Sequence, residues 1–211
     1  EFSPGCAIPY VSRVDAGTID TIRALGVEVR SSGDLVQQFE AVWDAEALGT
    51  HEAASLALYA IKDRAFDLVT HRMHGGDPVT EFEVQDAMAG WFEEAGLISD
   101  SRPVVAAQEN AGDPHYLPTR DRHRVIGSGE VLLLDLWGKL PMPRAVYADI
   151  TWVGYTGTTV PARYADAFTV ICEGRDAAVT LVQRVTREGG ELRGWEVDRV
   201  SRGLIAAAGF G

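Results

Sequence analysis

Cysteine is almost missing from the chain: two residues, Cys6 and Cys172, among 211. Two lone thiols so far apart make no disulfide framework. That excludes the small stapled secreted folds and sets a reducing, cytoplasmic compartment as the expectation. Positive charge is scarce as well. Lys and Arg number 19 against 31 Asp and Glu, a formal net charge of −12. So acidic a surface argues against nucleic acid and against an anionic membrane as partners. No apolar run is long enough to span a bilayer, and the first residues lack the pattern of a leader. Also missing are a Gly-rich phosphate loop, a Gly-x-Ser-x-Gly elbow, a His-Glu-x-x-His pair and cysteines at ligand spacing. No cofactor-binding motif is therefore assigned, and no local pattern assembles a Ser/His/Asp triad. What is present is an ordinary globular composition, 46% hydrophobic and 24% charged, with length enough for one sizeable core or for one domain plus part of another.

Periodicity and punctuation lay out the elements. Glu1–Tyr10, with Pro4, Gly5 and Pro9, reads as coil. Thr18–Leu25 is a short helix stopped by Gly26, Val27–Val29 a short strand, and Leu35–Trp43 an amphipathic helix. Asp44–His74 is long and helical, with Leu48, His51, Ala54, Leu58, Ile61, Ala65, Leu68 and Val69 on one stripe and Gly75-Gly76 as its stop. His71 and His74 read as a solvated helix end, where the dipole favours them. Thr80 and Glu83 form a capping-box pattern that opens a helix running to Gly96. Pro103–Ala107 is a short strand and Asn110–Pro118 a loop. Pro161 suits the first turn of a helix that ends at Gly189-Gly190, with Gly174 inside it for close packing or a kink. Trp195–Ala208 is a last amphipathic helix.

The stretch Gly129–Tyr155 carries the chemistry. Val131–Leu134 is an apolar run ending in a carboxylate, Asp135. After a loop with Pro141 and Pro143, the β-rich run Val146–Tyr155 carries a second, Asp149. Two such strands joined by a short loop read as antiparallel neighbours. Either Asp could be a turn-former. Together, inside apolar runs, they read as buried carboxylates in need of compensation by a metal ion or a basic partner. Neither strand contains Lys or Arg, which favours a divalent cation.

The motifs LLLDLWG and YADITW resemble the paired-Asp signature of the pita-bread metallopeptidases: methionine aminopeptidases, aminopeptidase P, proline dipeptidases and creatinase. The two Asp stand a few residues further apart than is usual there, a difference the Pro141/Pro143 loop absorbs, and Trp152 stands where many members have Arg. The resemblance implies metal ligation by Asp135 and Asp149. It also implies a catalytic, outer-shell role for His115, in PHY, whose imidazole N–H can contact substrate or a developing oxyanion.

The fold this implies is α+β, helices packed on an antiparallel sheet as half of a pita-bread fold. Residues 1–43 are then the remnant of an upstream α/β domain with a linker helix, and 44–211 the first half of the catalytic domain. The implied function is metal-dependent hydrolysis of Xaa-Pro bonds with manganese, cobalt or zinc. Alternatives are a non-catalytic protein of the same fold that binds peptides or partner proteins, and a creatinase-like hydrolase of small amidines. The family's dinuclear site uses five ligands, three of them beyond the segment seen here. The expectation is thus a truncated chain, inactive and without a tightly held metal pair by itself. Its expected partners are a proline-containing peptide and either a second copy or the missing C-terminal half.

Overall fold

The computed structural model describes residues 14–210; the coil expected at Glu1–Tyr10 lies outside them. Two short helices come first, α1 (Ala16–Ala24) and α2 (Gly33–Glu40). Asp15 caps α1 by accepting the Thr18 N–H at 2.9 Å. Residues 27–29 form no strand, contrary to expectation. Two valines split by Glu28 have no sheet edge to join, and an isolated strand that short is unstable. Helix α2 ends at Glu40 rather than Trp43, and its Leu35 and Phe39 are exposed.

The architecture is α+β, with helices over a three-stranded antiparallel sheet in the order β1-β2-β3. Helix α3 (Ala45–His74) is N-capped by Asp44, which accepts the Ala47 N–H at 2.8 Å. It buries Ala54, Leu58, Ile61, Ala65 and Val69, members of the expected stripe. His71 and His74 end it, both exposed. Helix α4 (Glu81–Glu94) starts with the full capping box. The Thr80 hydroxyl accepts the Glu83 N–H at 3.1 Å, and the Glu83 carboxylate accepts the Thr80 N–H at 2.8 Å. Those bonds from Thr80 hold Glu83 below the usual carboxylate range.

Strand β1 (Val104–Ala107) packs on α4 and pairs with β2 (Val131–Gly138), placing Val105 opposite Leu134 and Val104 opposite Asp135. A 3₁₀ helix, Gln108–Gly112, follows β1. β3 is Ala148–Tyr155. The β2–β3 connection is pinned to the start of α3: Arg144 donates to Asp44 at 2.9 Å, and the Val146 N–H donates to the Thr50 hydroxyl at 3.2 Å. Leu132, Leu134 and Leu136 of β2 close the core with Leu58, Met88 and Ile126. Each such side chain contributes about 1.5–3 kcal/mol by leaving water.

The chain divides into two compact units, one reaching to Ile126 and including Leu132–Val153, the other made of Gly127–Val131 and the residues from Gly154 on. In the second, the Thr156 hydroxyl donates to the Gly127 carbonyl at 2.7 Å, and helices α5 (Ala162–Arg187) and α6 (Gly194–Ala207) pack together. Pro161 stands at the N-cap of α5, one position before its first turn. Helix α5 runs unbroken through Gly174, and that glycine serves close packing. A Cβ there would meet the Ser201 Oγ at 3.0 Å and the Ser201 carbonyl at 3.4 Å. Among the described residues no helix is long and apolar enough to cross a membrane.

Candidate metal centre

Strand alternation decides where the acids point. β2 sends Leu132, Leu134 and Leu136 into the core and leaves Val131, Leu133, Asp135 and Trp137 half-buried on its other face. On β3, Ala148 is buried and Asp149, Thr151 and Val153 are exposed. The Thr151 hydroxyl donates to Asp135 Oδ1 at 2.6 Å, which sets Thr151 and Asp135 on one face of neighbouring strands. Asp149, two residues from Thr151, belongs to that same face. Its carboxyl is pushed above the usual carboxylate range, first by loss of surrounding water and second by the charge on Asp135. The structure thus brings the two predicted ligands together.

They are less buried than the sequence suggests: Asp135 is half-buried and Asp149 exposed. The apolar run reads as buried on both faces, whereas only the face carrying Leu132, Leu134 and Leu136 is fully buried. The Asp149 charge is disfavoured first by its partial loss of water and second by the Asp135 carboxylate beside it, and a cation would relieve both. Two carboxylates on one face, one of them with its charge disfavoured, suit a hard or borderline divalent cation. Among the described residues no group of three His, Cys, Asp or Glu is placed to hold a metal ion.

His115 does not join this pair. It is exposed in the loop after the 3₁₀ helix, and its backbone N–H donates to Asp113 Oδ1 at 2.9 Å. Its neighbour Tyr116 is buried, with its hydroxyl donating to Glu81 Oε2 at 2.5 Å.

The sequence reading missed Thr151 on this face, and two contacts elsewhere in the first unit. Thr151 was not singled out, although the period-2 rule puts it on the face of Asp149. Lys62 of α3 lies over the Trp152 ring at 4.4 Å and near Tyr59 at 5.2 Å, a contact no local pattern announces. Glu81, in the first turn of α4, is buried and carries no sequence motif. The one signal was that Glu83 already completes the capping box, which left Glu81 without a local role.

Burial, then the hydrogen bond to Glu81 and its charge, raise the Tyr116 phenol well above its usual value. A raised folded-state value makes this contribution to stability complete below about pH 10 and lost as pH rises further. In an alkaline titration followed by phenolate absorbance, one of the 6 tyrosines is expected to ionise after the rest. Tyr116→Phe should remove that late component. Its survival in the variant would assign the late phenol elsewhere.

With this geometry in place, the relatives become informative. The Metallopeptidase family M24 profile matches residues 51–211. The chain belongs to that family. No curated protein matches it. Among solved structures, the M24 chain is similar to prolidase from Thermococcus sibiricus, 18% identical with a TM-score of 0.66 over 94% of this chain and 50% of that one. It is similar to dipeptidase PepE from Mycobacterium ulcerans, 22% identical with a TM-score of 0.66 over 93% and 48%. It is also similar to X-prolyl aminopeptidase from Caenorhabditis elegans, described as a cytosolic enzyme with a di-nuclear active site, 17% identical with a TM-score of 0.67 over 83% and 28%. The M24 chain spans about half the length of the first two. At these identities the likeness establishes the fold, which is that of the pita-bread peptidases.

Proposed function

We propose that this M24 chain supplies two metal ligands, Asp135 and Asp149, and one substrate-contacting group, His115, to a metal-dependent peptidase that cleaves Xaa-Pro bonds. The observation that carries the reading is the Asp135–Thr151–Asp149 arrangement on the open face of the β2–β3 pair. The Thr151 hydroxyl occupies one Asp135 oxygen and orients the carboxylate, leaving its second oxygen for a cation. Asp149, raised above the usual carboxylate range, would have to be ionised to hold a cation, so affinity would rise with pH. A divalent ion held by Asp135 and Asp149 would supply Lewis acidity for peptide hydrolysis. His115, exposed on its own loop, would contact the substrate through its imidazole.

The division after Trp43 belongs to this reading, with 1–43 as the end of an upstream α/β domain and linker. It is supported by a family match that begins at residue 51 and by the exposed apolar side chains of α2. Manganese, cobalt or zinc, a cytoplasmic location and self-association complete it.

The test uses the natural full-length protein, stripped with a chelator and then given manganese, cobalt or zinc. Hydrolysis of an Xaa-Pro dipeptide is expected to return with at least one metal, and an Xaa-Ala dipeptide to be cleaved poorly. Peptide binding without hydrolysis under any of the three metals would replace this reading with the non-catalytic one. Cleavage of a small amidine in place of the dipeptide would replace it with the creatinase-like one.

A further inference from the structure

A carboxylate in the first turn of a helix ordinarily faces water, where it complements the dipole. Glu81 does not; it is 0% exposed. Its Oε1 accepts the Ala107 N–H at 2.7 Å and the Asn110 side-chain amide at 3.0 Å. Its Oε2 accepts the Tyr116 hydroxyl at 2.5 Å and the Arg124 N–H at 2.9 Å, with the Asn110 amide 3.1 Å away. These donors replace the water the carboxylate has lost.

The donors come from separate segments: the end of β1, the 3₁₀ helix, the residue after His115, and the stretch following the Thr119–Arg122 bridge. Two of them, Asn110 and Tyr116, bracket Asp113-Pro114-His115. Inside that bracket the Asp113 N–H donates to the Asn110 carbonyl at 3.1 Å, and the Tyr116 N–H to the Asp113 carbonyl at 3.0 Å. Gln108, just beyond Ala107, holds a left-handed φ of 51° that a non-glycine residue adopts only when its surroundings over-determine it. The His115 side chain makes no hydrogen bond of its own among the described residues. Its place is set by the backbone on either side, and both sides end on one carboxylate.

We propose that Glu81 is the positioning residue for His115, fixing both ends of the 110–116 loop so that the exposed imidazole is presented in one place. The proposal rests on the role given to His115 above.

Tyr116→Phe removes one bond and leaves Glu81 its other donors, so folding is retained where Glu81→Gln, which sets an amide against buried N–H groups, can fail. In the metal-loaded full-length protein, Tyr116→Phe is expected to lower kcat for an Xaa-Pro dipeptide about tenfold, with KM and metal content unchanged. Against a His115→Ala background the same change is expected to have no effect, because the two act as one unit. A tenfold loss that recurs unchanged in that background, or an unaltered kcat in Tyr116→Phe alone, would overturn the positioning role. Nitrogen-detected NMR of the His115 imidazole separates the two ideas. If His115→Ala leaves kcat intact but the imidazole signal shifts and broadens in Tyr116→Phe, the catalytic role of His115 fails and the positioning stands. An imidazole signal unmoved by Tyr116→Phe overturns the positioning.

Discussion

Leu134→Ala is expected to lower the unfolding free energy by about 2–5 kcal/mol, the range for truncating a fully buried leucine. Leu134 is 0% exposed and sits in the middle of β2, opposite Val105 of β1 and within the cluster that joins α3 and α4 to the sheet. Both its neighbours in β2, Leu133 and Asp135, face the other way, so no adjacent side chain can swing in to refill the space. Interiors pack at near-crystal density, and the cavity keeps most of its volume. For a chain of this size each kcal/mol lowers the melting temperature by about 2–4 °C. Leu133→Ala, one residue away on the half-buried face, should cost clearly less. Chemical denaturation of both variants checks the pair; equal losses would mean that the two faces of β2 are not distinguished as described.

Asp135→Asn addresses the metal centre. The amide keeps the shape of the carboxylate and an oxygen for the Thr151 hydroxyl, so the change isolates the charge. Loss of an outer-shell partner alone costs 10–100-fold in metal affinity or activity, so removal of a ligand charge should cost more than about 100-fold. Thr151→Val should fall within that 10–100-fold range. Without metal the sign reverses. Asp149 is raised first by burial and second by Asp135, so Asp135→Asn should bring it part of the way back toward the ordinary value of 3.8. A carboxyl raised in the folded state contributes stability that is complete below 3.8 and lost as pH climbs through the folded value. The variant should lose less over that window. Metal content after dialysis, hydrolysis rates of the full-length protein and carboxyl NMR titration of the metal-free chain check the three parts. Full metal retention with activity within tenfold of the parent would remove Asp135 from the site.

How much of this was readable in sequence depended on the range of the interactions involved. The capping box at Thr80–Glu83, the α3 stripe from Ala54 on and the α5 stop at Gly189-Gly190 are set by residues a few positions apart, and the structure reproduces them within a residue or two, whereas Leu48, expected on the stripe, is exposed. The pairing of Asp135 with Asp149 was legible because one short connection joins their strands. Their exposure was not: VLLLDLWG has no alternation of polar and apolar residues, so the covered face cannot be told from the open one until the helices are placed. The valines at 27 and 29 carried strand propensity without a partner edge, and propensity alone does not make a strand. Glu81 was beyond reach, since each of its donors lies at least 26 residues away in sequence.

That distance also bears on the order in which the molecule comes together. Helix α4 can form early from its own cap and apolar face, but its first residue is then a charge at the edge of a core not yet closed. Water leaves that carboxylate only when β1, the 110–116 loop and Arg124 have all arrived, and each arrival closes a long stretch of chain before any contact rewards it. Partly folded forms therefore keep Glu81 hydrated and the PHY loop loose. The loop that presents His115 can be fixed no sooner than the last of these donors arrives, so its ordering is tied to closure of the core around Glu81.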